Sequence, residues 1–183
     1  AHPWPSPFDV APVLAARGRR AAVLASGDPF WFGVGATLLR HVPATEVIAL
    51  PAPSAFALAA SRLGWALQDA VALSLHGRPA ALIRPHLQPG ARLLALTSDA
   101  DGPAAVAAML AAEGFGDSRI TLLEAIGGPR EAVRAFRAVD GPPAPVDPLN
   151  LLAIEVAAAP GARVLPLAPG LPDAWFEHDG QIT

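Results

Sequence analysis

The stretch ASGDPFWFGVG, residues 25–35, places a glycine, an acid and a proline directly after the apolar run AAVLAS and before a segment with helical spacing. Gly27 permits backbone conformations and close approaches that a Cβ would block, and Pro29 stiffens the loop. Asp28 can accept hydrogen bonds from hydroxyls, amines or backbone amides. Because ligands of α/β proteins gather beyond the carboxyl ends of strands, this turn is a candidate binding site; the alternative is an ordinary strand-to-helix turn.

The order of residues in this turn excludes three well-known loops. It lacks the G-x-G-x-x-G order of a dinucleotide fingerprint, no lysine follows it as in a P-loop, and Ser26 lacks the flanking glycines of a nucleophile elbow. The carboxylate of Asp28 also disfavours an anion. The turn therefore disfavours a phosphate and allows a cationic or polyhydroxyl ligand.

The composition narrows the chemistry further. The 183 residues include no cysteine and no lysine, and all 13 basic residues are arginine. Disulfides, thiolate nucleophiles, Schiff-base lysines and P-loop lysines are thereby excluded. A net charge of −3 without a basic block disfavours nucleic acid. The apolar runs are shorter than the roughly 20 residues of a membrane span, so we expect a globular, cytoplasmic protein that does not enter a membrane.

Short apolar runs alternate with stretches rich in Ala, Leu and Arg at helical spacing, which indicates βαβ units around a largely parallel sheet. Ser54 is predicted to be the N-cap of one helix, and Gly64 its stop. The first series comprises a helix near 8–17, a strand near 20–25, a helix near 33–41, a strand near 45–50 and a helix near 54–63.

A second series of elements follows the segment LGWALQD. Its last apolar run, LLAIEVAAA, is apolar on both faces and is therefore predicted to be a central strand. Pro103 suits the start of the helix over PAAVAAMLAAEG, and Gly114 suits its end. The series comprises strand runs at 70–75, 91–97 and 118–125, a short helix after HGRP, the helix that begins at Pro103, the stretch PREAVRAFRAV (129–139) and the run 151–159.

This order predicts two α/β lobes, over residues 1–66 and 67–159. Residues 160–183 contain several prolines and little periodicity, which is typical of a connector. The sequence begins with Ala1 and stops after FEHDGQIT, so we expect a segment of a longer chain whose next domain is missing here.

Five motifs in order resemble the S-adenosylmethionine-dependent tetrapyrrole methylases: VLASGDPFWFGVG, PAPSAFALAASRLGW, SLHGRP, LTSDADGPAAVAAML and GLPDAWFEHDGQIT. The resemblance covers nearly the whole chain and is closest to members that methylate C5 of a precorrin. It implies an α/β, two-lobed tetrapyrrole methylase fold with parallel or mixed sheets and cofactor bound in a cleft between the lobes. That family opens with a strand and a glycine-rich loop, and nothing equivalent precedes Ala1.

The resemblance also implies an activity and a set of partners. The activity is C-methylation of a precorrin macrocycle in cobalamin biosynthesis, with S-adenosylmethionine as methyl donor and no metal. The partners are the tetrapyrrole substrate, a second copy of the chain in a homo-oligomer, and a second methyltransferase domain in the full-length protein.

Ten cofactor contacts are implied by the resemblance, in four motifs. The first two motifs would lie beneath the methionine part of the cofactor, and the last two near its adenosine. The residues are Ser26, Gly27, Asp28 and Trp31 in the turn, Ser54 and Ala55 in PAPSA, Leu96 and Thr97 in LALTSD, and Leu149 and Asn150 in PLN.

Contacts to the substrate involve a histidine and several arginines. His76 follows a predicted strand and precedes a glycine, which makes it the candidate for a proton role; the alternative is a histidine hydrogen-bonded at a strand end. Arginine holds carboxylates such as those of a tetrapyrrole through two parallel hydrogen bonds. Arg78 is the first candidate, followed by Arg62 and Arg84; a solvated surface position is the alternative for each.

Other groups in these motifs have structural interpretations. The trio Phe30, Trp31 and Phe32 could wall the macrocycle or the cofactor, although such aromatics more often pack in a core. Asp99 and Asp101 fall short of a calcium pattern and are expected to cap a helix. Glu124, at the end of a strand, could be structural or could line a cleft.

Three other functions stay open at the level of sequence. The chain could be a non-catalytic module that docks, dimerises or positions the next domain. It could be a tetrapyrrole methylase acting at another ring position, or an ordinary nucleotide-binding fold.

Overall fold

The computed structural model describes residues 3–5, 8–167 and 170. The chain divides into two compact units, residues 1–58 and 59–183. Most of the predicted connector, including the segment EHDGQIT, lies outside the described residues. The described elements are α1 (Ala11–Leu14), α2 (Val34–Leu38), α3 (Ala55–Leu63), β1 (Ala70–Ser74), a 3₁₀ helix (Ala80–His86), β2 (Arg92–Leu96), α4 (Gly102–Ala112), β3 (Arg119–Glu124), β4 (Ala132–Arg137) and β5 (Asn150–Glu155), with 3₁₀ turns at Ala44–Glu46, Leu67–Asp69 and Ala138–Asp140.

The first unit contains no strand among its described residues, so the strands predicted near 20–25 and 45–50 are wrong. Leu24, Ile48 and Leu50 are 84%, 89% and 84% exposed on these segments. A strand is held by backbone hydrogen bonds to a neighbouring strand, and these two segments do not pair with each other. Because their apolar pattern has no pairing partner among the described residues, the two segments are irregular and not strands.

Helices α1 and α2 are shorter than predicted, whereas α3 agrees with its prediction. Helices α1 and α2 span four and five residues. Helix α3 begins as predicted, because the Ala57 amide donates a 3.2 Å hydrogen bond to Ser54 Oγ. Gly64, at φ +66°, ends it in the left-handed conformation that favours glycine.

The second unit is built on a five-stranded sheet with the order β1-β2-β5-β3-β4. Only β1 and β2 are parallel neighbours; β5 is antiparallel to both β2 and β3, and β4 is antiparallel to β3. The expectation of a largely parallel sheet is therefore corrected to a mixed one. Strand β5 is central and buried over Asn150–Ile154, which confirms its prediction as a central strand.

The stretch PREAVRAFRAV contains the edge strand β4. Along it, half-buried Ala132, Arg134 and Phe136 alternate with exposed Val133 and Ala135. This period of two is the pattern of a strand with one covered face. Arg134 therefore lies on the covered face, and Arg137 lies on the exposed one.

Helix α4 packs against the core of the second unit. Its buried residues Pro103, Val106, Ala107 and Leu110 follow the i, i+3, i+4, i+7 spacing of one helix face. The helix is rich in alanine, the strongest helix former, and Gly114 at φ +88° follows its end. The helix therefore covers one face of the sheet and presents its first turn near the end of β2.

One edge of the sheet gathers three of the segments that the sequence singles out, namely SLHGRP, LTSD and PLN. Strands β1, β2 and β3 end there and β5 begins there, since Leu96 pairs with Leu151 and Glu124 pairs with Asn150. Loops that are distant in the sequence consequently meet at this edge. Within the described part of the chain, no helix is long and apolar enough to cross a membrane.

Candidate functional site

The GDP turn of the first unit is a tight turn that packs on the PAPSA segment. Gly27 lies at φ +65°, and a Cβ built on it would meet Ser54 Cα at 3.1 Å and Pro53 O at 3.3 Å. The Ala52 amide donates a 3.2 Å hydrogen bond to Gly27 O. The structure therefore brings together two of the predicted cofactor motifs, with glycine required by both conformation and space.

The polar groups of this turn are partly engaged. Asp28 Oδ1 accepts a 2.8 Å hydrogen bond from the Phe30 amide, which leaves Oδ2 without a protein donor among the described residues. Ser54 Oγ caps α3, and Ala55 is the first residue of that helix. Ser26 is exposed. One carboxylate oxygen of Asp28 and the Ser26 hydroxyl are therefore available to a ligand.

The aromatic trio of this unit is not buried in a core. Phe30, Trp31 and Phe32 are 43%, 51% and 49% exposed. Trp31 and Phe32 nevertheless contact the buried Phe56 ring, at centroid distances of 6.2 Å and 5.7 Å. Phe32 has φ +55°, a strained conformation for a bulky residue. The trio forms an apolar shelf beside the turn.

The SLHGRP and LTSD loops of the second unit are tied together by Ser98. The Gly77 amide donates a 2.8 Å hydrogen bond to Ser98 Oγ, and that hydroxyl donates to Leu75 O at 3.3 Å. His76 and Arg78 are exposed on this loop. These two candidates for substrate chemistry therefore lie on the loop beside the LTSD motif.

Thr97 and Asn150, each buried, are joined directly. Thr97 Oγ1 donates a 2.6 Å hydrogen bond to Asn150 Oδ1. Asn150 Nδ2 donates to Asp99 O and to Asp147 O, each at 2.9 Å. The asparagine amide is thereby fully engaged and fixes the LTSD and PLN loops relative to each other. Leu149, beside it, is 67% exposed, and Leu96 is half-buried.

A cleft of about 250 Å³ opens at this edge of the second unit. Thr97, Ser98 and Arg78 line it together with the first turn of α4, and Leu75 and Val106 form its apolar floor. Asp99 Oδ1 accepts the amides of Asp101 and Gly102 at 3.0 and 2.9 Å and so covers the start of α4, as predicted. Asp101 occupies the N-cap position but its side chain makes no cap hydrogen bond, so its predicted capping role is wrong. The cleft therefore offers an arginine, hydroxyls and apolar surface.

The three predicted substrate-binding arginines differ in their partners. The Arg62 guanidinium donates to both carboxylate oxygens of Glu131, at 2.6 and 3.1 Å, and Arg84 donates to Glu113 at 2.8 Å. Hydrogen bonding to these carboxylates raises the pKa of both arginines. The Arg78 guanidinium has no such carboxylate among the described residues, and only Arg78 of the three lines the cleft.

The Arg62–Glu131 pair predicts a pH-dependent part of stability. The hydrogen bonds from Arg62, and then that from the Gly127 amide, lower the pKa of Glu131 from its ordinary value of 4.5. A depressed carboxyl pKa adds stability that is present above 4.5 and is lost as the pH falls through the folded-state value. In thermal melts, the difference in melting temperature between wild type and Glu131→Gln should shrink as the pH is lowered. Arg62→Met should weaken the same dependence without abolishing it, because the Gly127 amide still donates to Glu131. A stability difference that does not change with pH contradicts the assignment.

Two residues of the cleft were missed by the sequence reasoning. Ser98 connects the two loops, although nothing in LTSD distinguishes it from a surface serine. Gly102 leaves room for Thr97, because a Cβ on it would lie 2.6 Å from Thr97 Cβ. A glycine directly before Pro103 at a helix start was the available signal.

Residues 9–139 match the family model of the tetrapyrrole (corrin/porphyrin) methylases. The chain belongs to this family, and the resemblance found in the sequence is confirmed. It is 58% identical, over its whole length, to a precorrin-6Y C(5,15)-methyltransferase [decarboxylating] of Sinorhizobium sp, of which it covers 45%. The chain thus spans about half the length of that curated relative.

Solved structures confirm the α/β fold class. A crystal structure described as the precorrin-6Y methylase of Archaeoglobus fulgidus matches with a TM-score of 0.59 and 24% identity, covering 81% of this chain and 71% of that one. Uroporphyrin-III C-methyltransferase from Thermus thermophilus, complexed with S-adenosylhomocysteine, matches with a TM-score of 0.53 and 24% identity, covering 70% and 62%.

Proposed function

We propose that this chain is the S-adenosylmethionine-dependent, C5-methylating part of a precorrin-6Y C5,15-methyltransferase (decarboxylating) in cobalamin biosynthesis. The observation that carries the proposal is the 58% identity with the Sinorhizobium protein of that name over the whole chain. Membership of the tetrapyrrole methylase family supports the reaction class. The S-adenosylhomocysteine in the Thermus protein supports the identity of the methyl donor.

In each unit, the chemical types of the residues suit a sulfonium cofactor. In the first unit, Gly27 keeps the turn free of a Cβ and Asp28 retains one oxygen for a cationic or hydroxyl group; Ser26, Trp31, Ser54 and Ala55 would add contacts to the methionine part. In the second unit, Thr97 and Asn150 lock the loops whose Leu96 and Leu149 would contact the adenosine.

When bound, S-adenosylmethionine supplies an electrophilic methyl group, which is transferred to carbon by in-line displacement: the S–CH₃ bond breaks as the C–CH₃ bond forms. The protein's task is alignment and exclusion of water, so no protein nucleophile is needed. This agrees with a chain without cysteine or lysine. His76, exposed at the end of β1, would accept the proton that the macrocycle gives up.

Arg78 is expected to be the main arginine for a substrate carboxylate, because it lines the cleft and lacks a carboxylate partner among the described residues. Arg62 and Arg84 are weaker candidates, since each already holds a glutamate. Arg78→Ala should raise the KM for the tetrapyrrole about tenfold with little change in kcat. The matched control is Arg119→Ala, which removes an arginine that is 68% exposed at the far end of β3. A KM equal to that of wild type contradicts this role.

The full-length assembly follows from the same resemblance. The chain covers 45% of its curated relative, and this coverage supports the proposal that the full-length protein carries a second methyltransferase domain. A homo-oligomer is the expected assembly state. Light scattering on the complete protein tests that expectation.

The test of the function uses the complete protein, precorrin-6Y and S-adenosylmethionine labelled with ¹³C in its methyl group. The expected result is one labelled methyl at C5, located by NMR. A label at another ring position would favour a different tetrapyrrole methylase. No binding of S-adenosylhomocysteine by calorimetry would favour the non-catalytic module.

A further inference from the structure

We propose that the ion pair between Glu124 and Arg134 is a positioning element for the PLN loop, residues Asp147–Asn150, and sets the affinity for the adenosine part of the cofactor. The inference rests on the proposed function. Neither residue lines the cleft, so each would act through the loop and not by touching a ligand.

The pair is bidentate and largely buried. Arg134 Nε donates to Glu124 Oε2 at 2.8 Å and Arg134 Nη2 donates to Glu124 Oε1 at 2.7 Å, with the Glu124 side chain 5% exposed. Parallel hydrogen bonds of this kind are short and directional. Glu124 is thereby held in one orientation at the end of β3.

Both partners also bind the backbone that leads into the PLN loop. Arg134 Nη2 donates to Pro145 O at 2.6 Å, and Glu124 Oε1 accepts the Asp147 amide at 2.8 Å. The segment between β4 and β5 has no regular structure around these residues. Its path is therefore determined by side-chain hydrogen bonds from the sheet rather than by a backbone ladder.

Asp147 connects the ion pair to two residues of the PLN loop, Leu149 and Asn150. Its Oδ1 accepts the Leu149 amide at 2.9 Å, and its carbonyl accepts Asn150 Nδ2 at 2.9 Å. The Arg130 guanidinium also pairs with its carboxylate. A continuous series of hydrogen bonds thus runs from Glu124 through Asp147 to Asn150, which binds Thr97.

A positioning role can be separated from a stabilising one. Replacing a buried ion pair by apolar side chains of similar volume often leaves stability unchanged, whereas removing one partner strands a buried charge. The double variant Glu124→Leu with Arg134→Met should therefore fold, yet it removes the acceptor of the Asp147 amide and the donor to Pro145 O.

The experiment measures S-adenosylhomocysteine affinity by calorimetry, and thermal melting, on the complete protein. The double variant should bind about tenfold more weakly than wild type while melting at a similar temperature, because the loop loses two fixed contacts. Arg134→Lys keeps the positive charge but cannot form the two parallel hydrogen bonds. Its affinity for S-adenosylhomocysteine should lie between those of wild type and the double variant. The control Arg17→Met with Glu46→Leu replaces an exposed bidentate pair and should leave the affinity unchanged.

Three results would contradict the positioning role of the Glu124–Arg134 pair. A double variant that binds as tightly as wild type overturns the positioning role and leaves the proposed function standing. A double variant that fails to fold, combined with unchanged affinity in Arg134→Lys, assigns the pair to stability alone and also overturns the role. Wild type that does not bind S-adenosylhomocysteine overturns the proposed function together with the inference.

Discussion

Replacing Gly27 by alanine is expected to lower the affinity for S-adenosylhomocysteine about tenfold, since the added Cβ forces this binding turn to shift by a few tenths of an ångström. The new methyl group would meet the backbone at Ser54 Cα, 3.1 Å away, and Pro53 O, 3.3 Å away. Backbone atoms cannot swing aside as a flexible side chain can, so the turn itself must shift. Calorimetric titration of the complete protein measures the effect.

Gly18→Ala is the matched control. Gly18 also has a positive φ, +85°, but a Cβ there would have nothing within 4 Å. Both variants should lose about 1–2 kcal/mol of folding free energy from the left-handed backbone. Only Gly27→Ala should also lose affinity. Equal affinities in the two variants would contradict a binding role for the turn.

Replacing Asn150 by aspartate is expected to have the second large effect. The substitution keeps the size of the side chain but places an oxygen where Nδ2 now donates to Asp99 O and Asp147 O. Two carbonyls in part-buried hydrogen bonds lose their donor and face a carboxylate, which should lower the free energy of unfolding by about 3 kcal/mol. The affinity for S-adenosylhomocysteine should fall about tenfold or more because the LTSD and PLN loops separate.

Gln88→Glu makes the same amide-to-carboxylate change away from these loops. Gln88 Nε2 donates to Leu165 O at 2.7 Å from a half-buried position. The free energy of unfolding of this variant should be about 1 kcal/mol lower than that of wild type, and its affinity for S-adenosylhomocysteine should be unchanged. Urea unfolding and calorimetry compare the pair. An Asn150→Asp protein that binds like the Gln88→Glu protein would show that the asparagine is not part of the binding site.

Elements with local signals were predicted from the sequence. Helix α3 has a serine cap and a glycine stop, and the buried face of α4 repeats at helical spacing, so chain neighbours alone determine both. Strand β5 was identified as central because its residues are apolar on both faces. Such signals do not depend on the rest of the fold.

Sheet pairing could not be predicted in the same way. The runs around Leu24 and Ile48 have the composition of strands, but a strand forms only where a partner supplies backbone hydrogen bonds. The antiparallel insertion of β5 between β2 and β3 depends on the path of the segment 138–149, which contains several prolines and no periodic pattern. Non-local contacts of this kind leave no trace in a short window of sequence.

The candidate site could likewise be predicted from the sequence only in part. Thr97 and Asn150 were expected at the site only because the family resemblance implies them, whereas their direct hydrogen bond follows from the register of β2 with β5. The Ser98 link depends on the pairing of β1 with β2, and the Glu124–Arg134 pair depends on that of β3 with β4. A lone serine or a strand-end glutamate gives no sign of either pairing. Composition and motifs indicate the chemistry, whereas the sheet decides which groups meet.

Hydrogen–deuterium exchange of the complete protein, with and without S-adenosylhomocysteine, tests whether the turn and both loops bind the cofactor. Exchange should slow in the turn at residues 26–31 and in the LTSD and PLN loops. Peptides at the far ends of β2 and β3 should be unchanged and serve as internal controls. Saturating ligand that binds by calorimetry yet leaves exchange in the turn and in both loops unaltered would contradict this binding role.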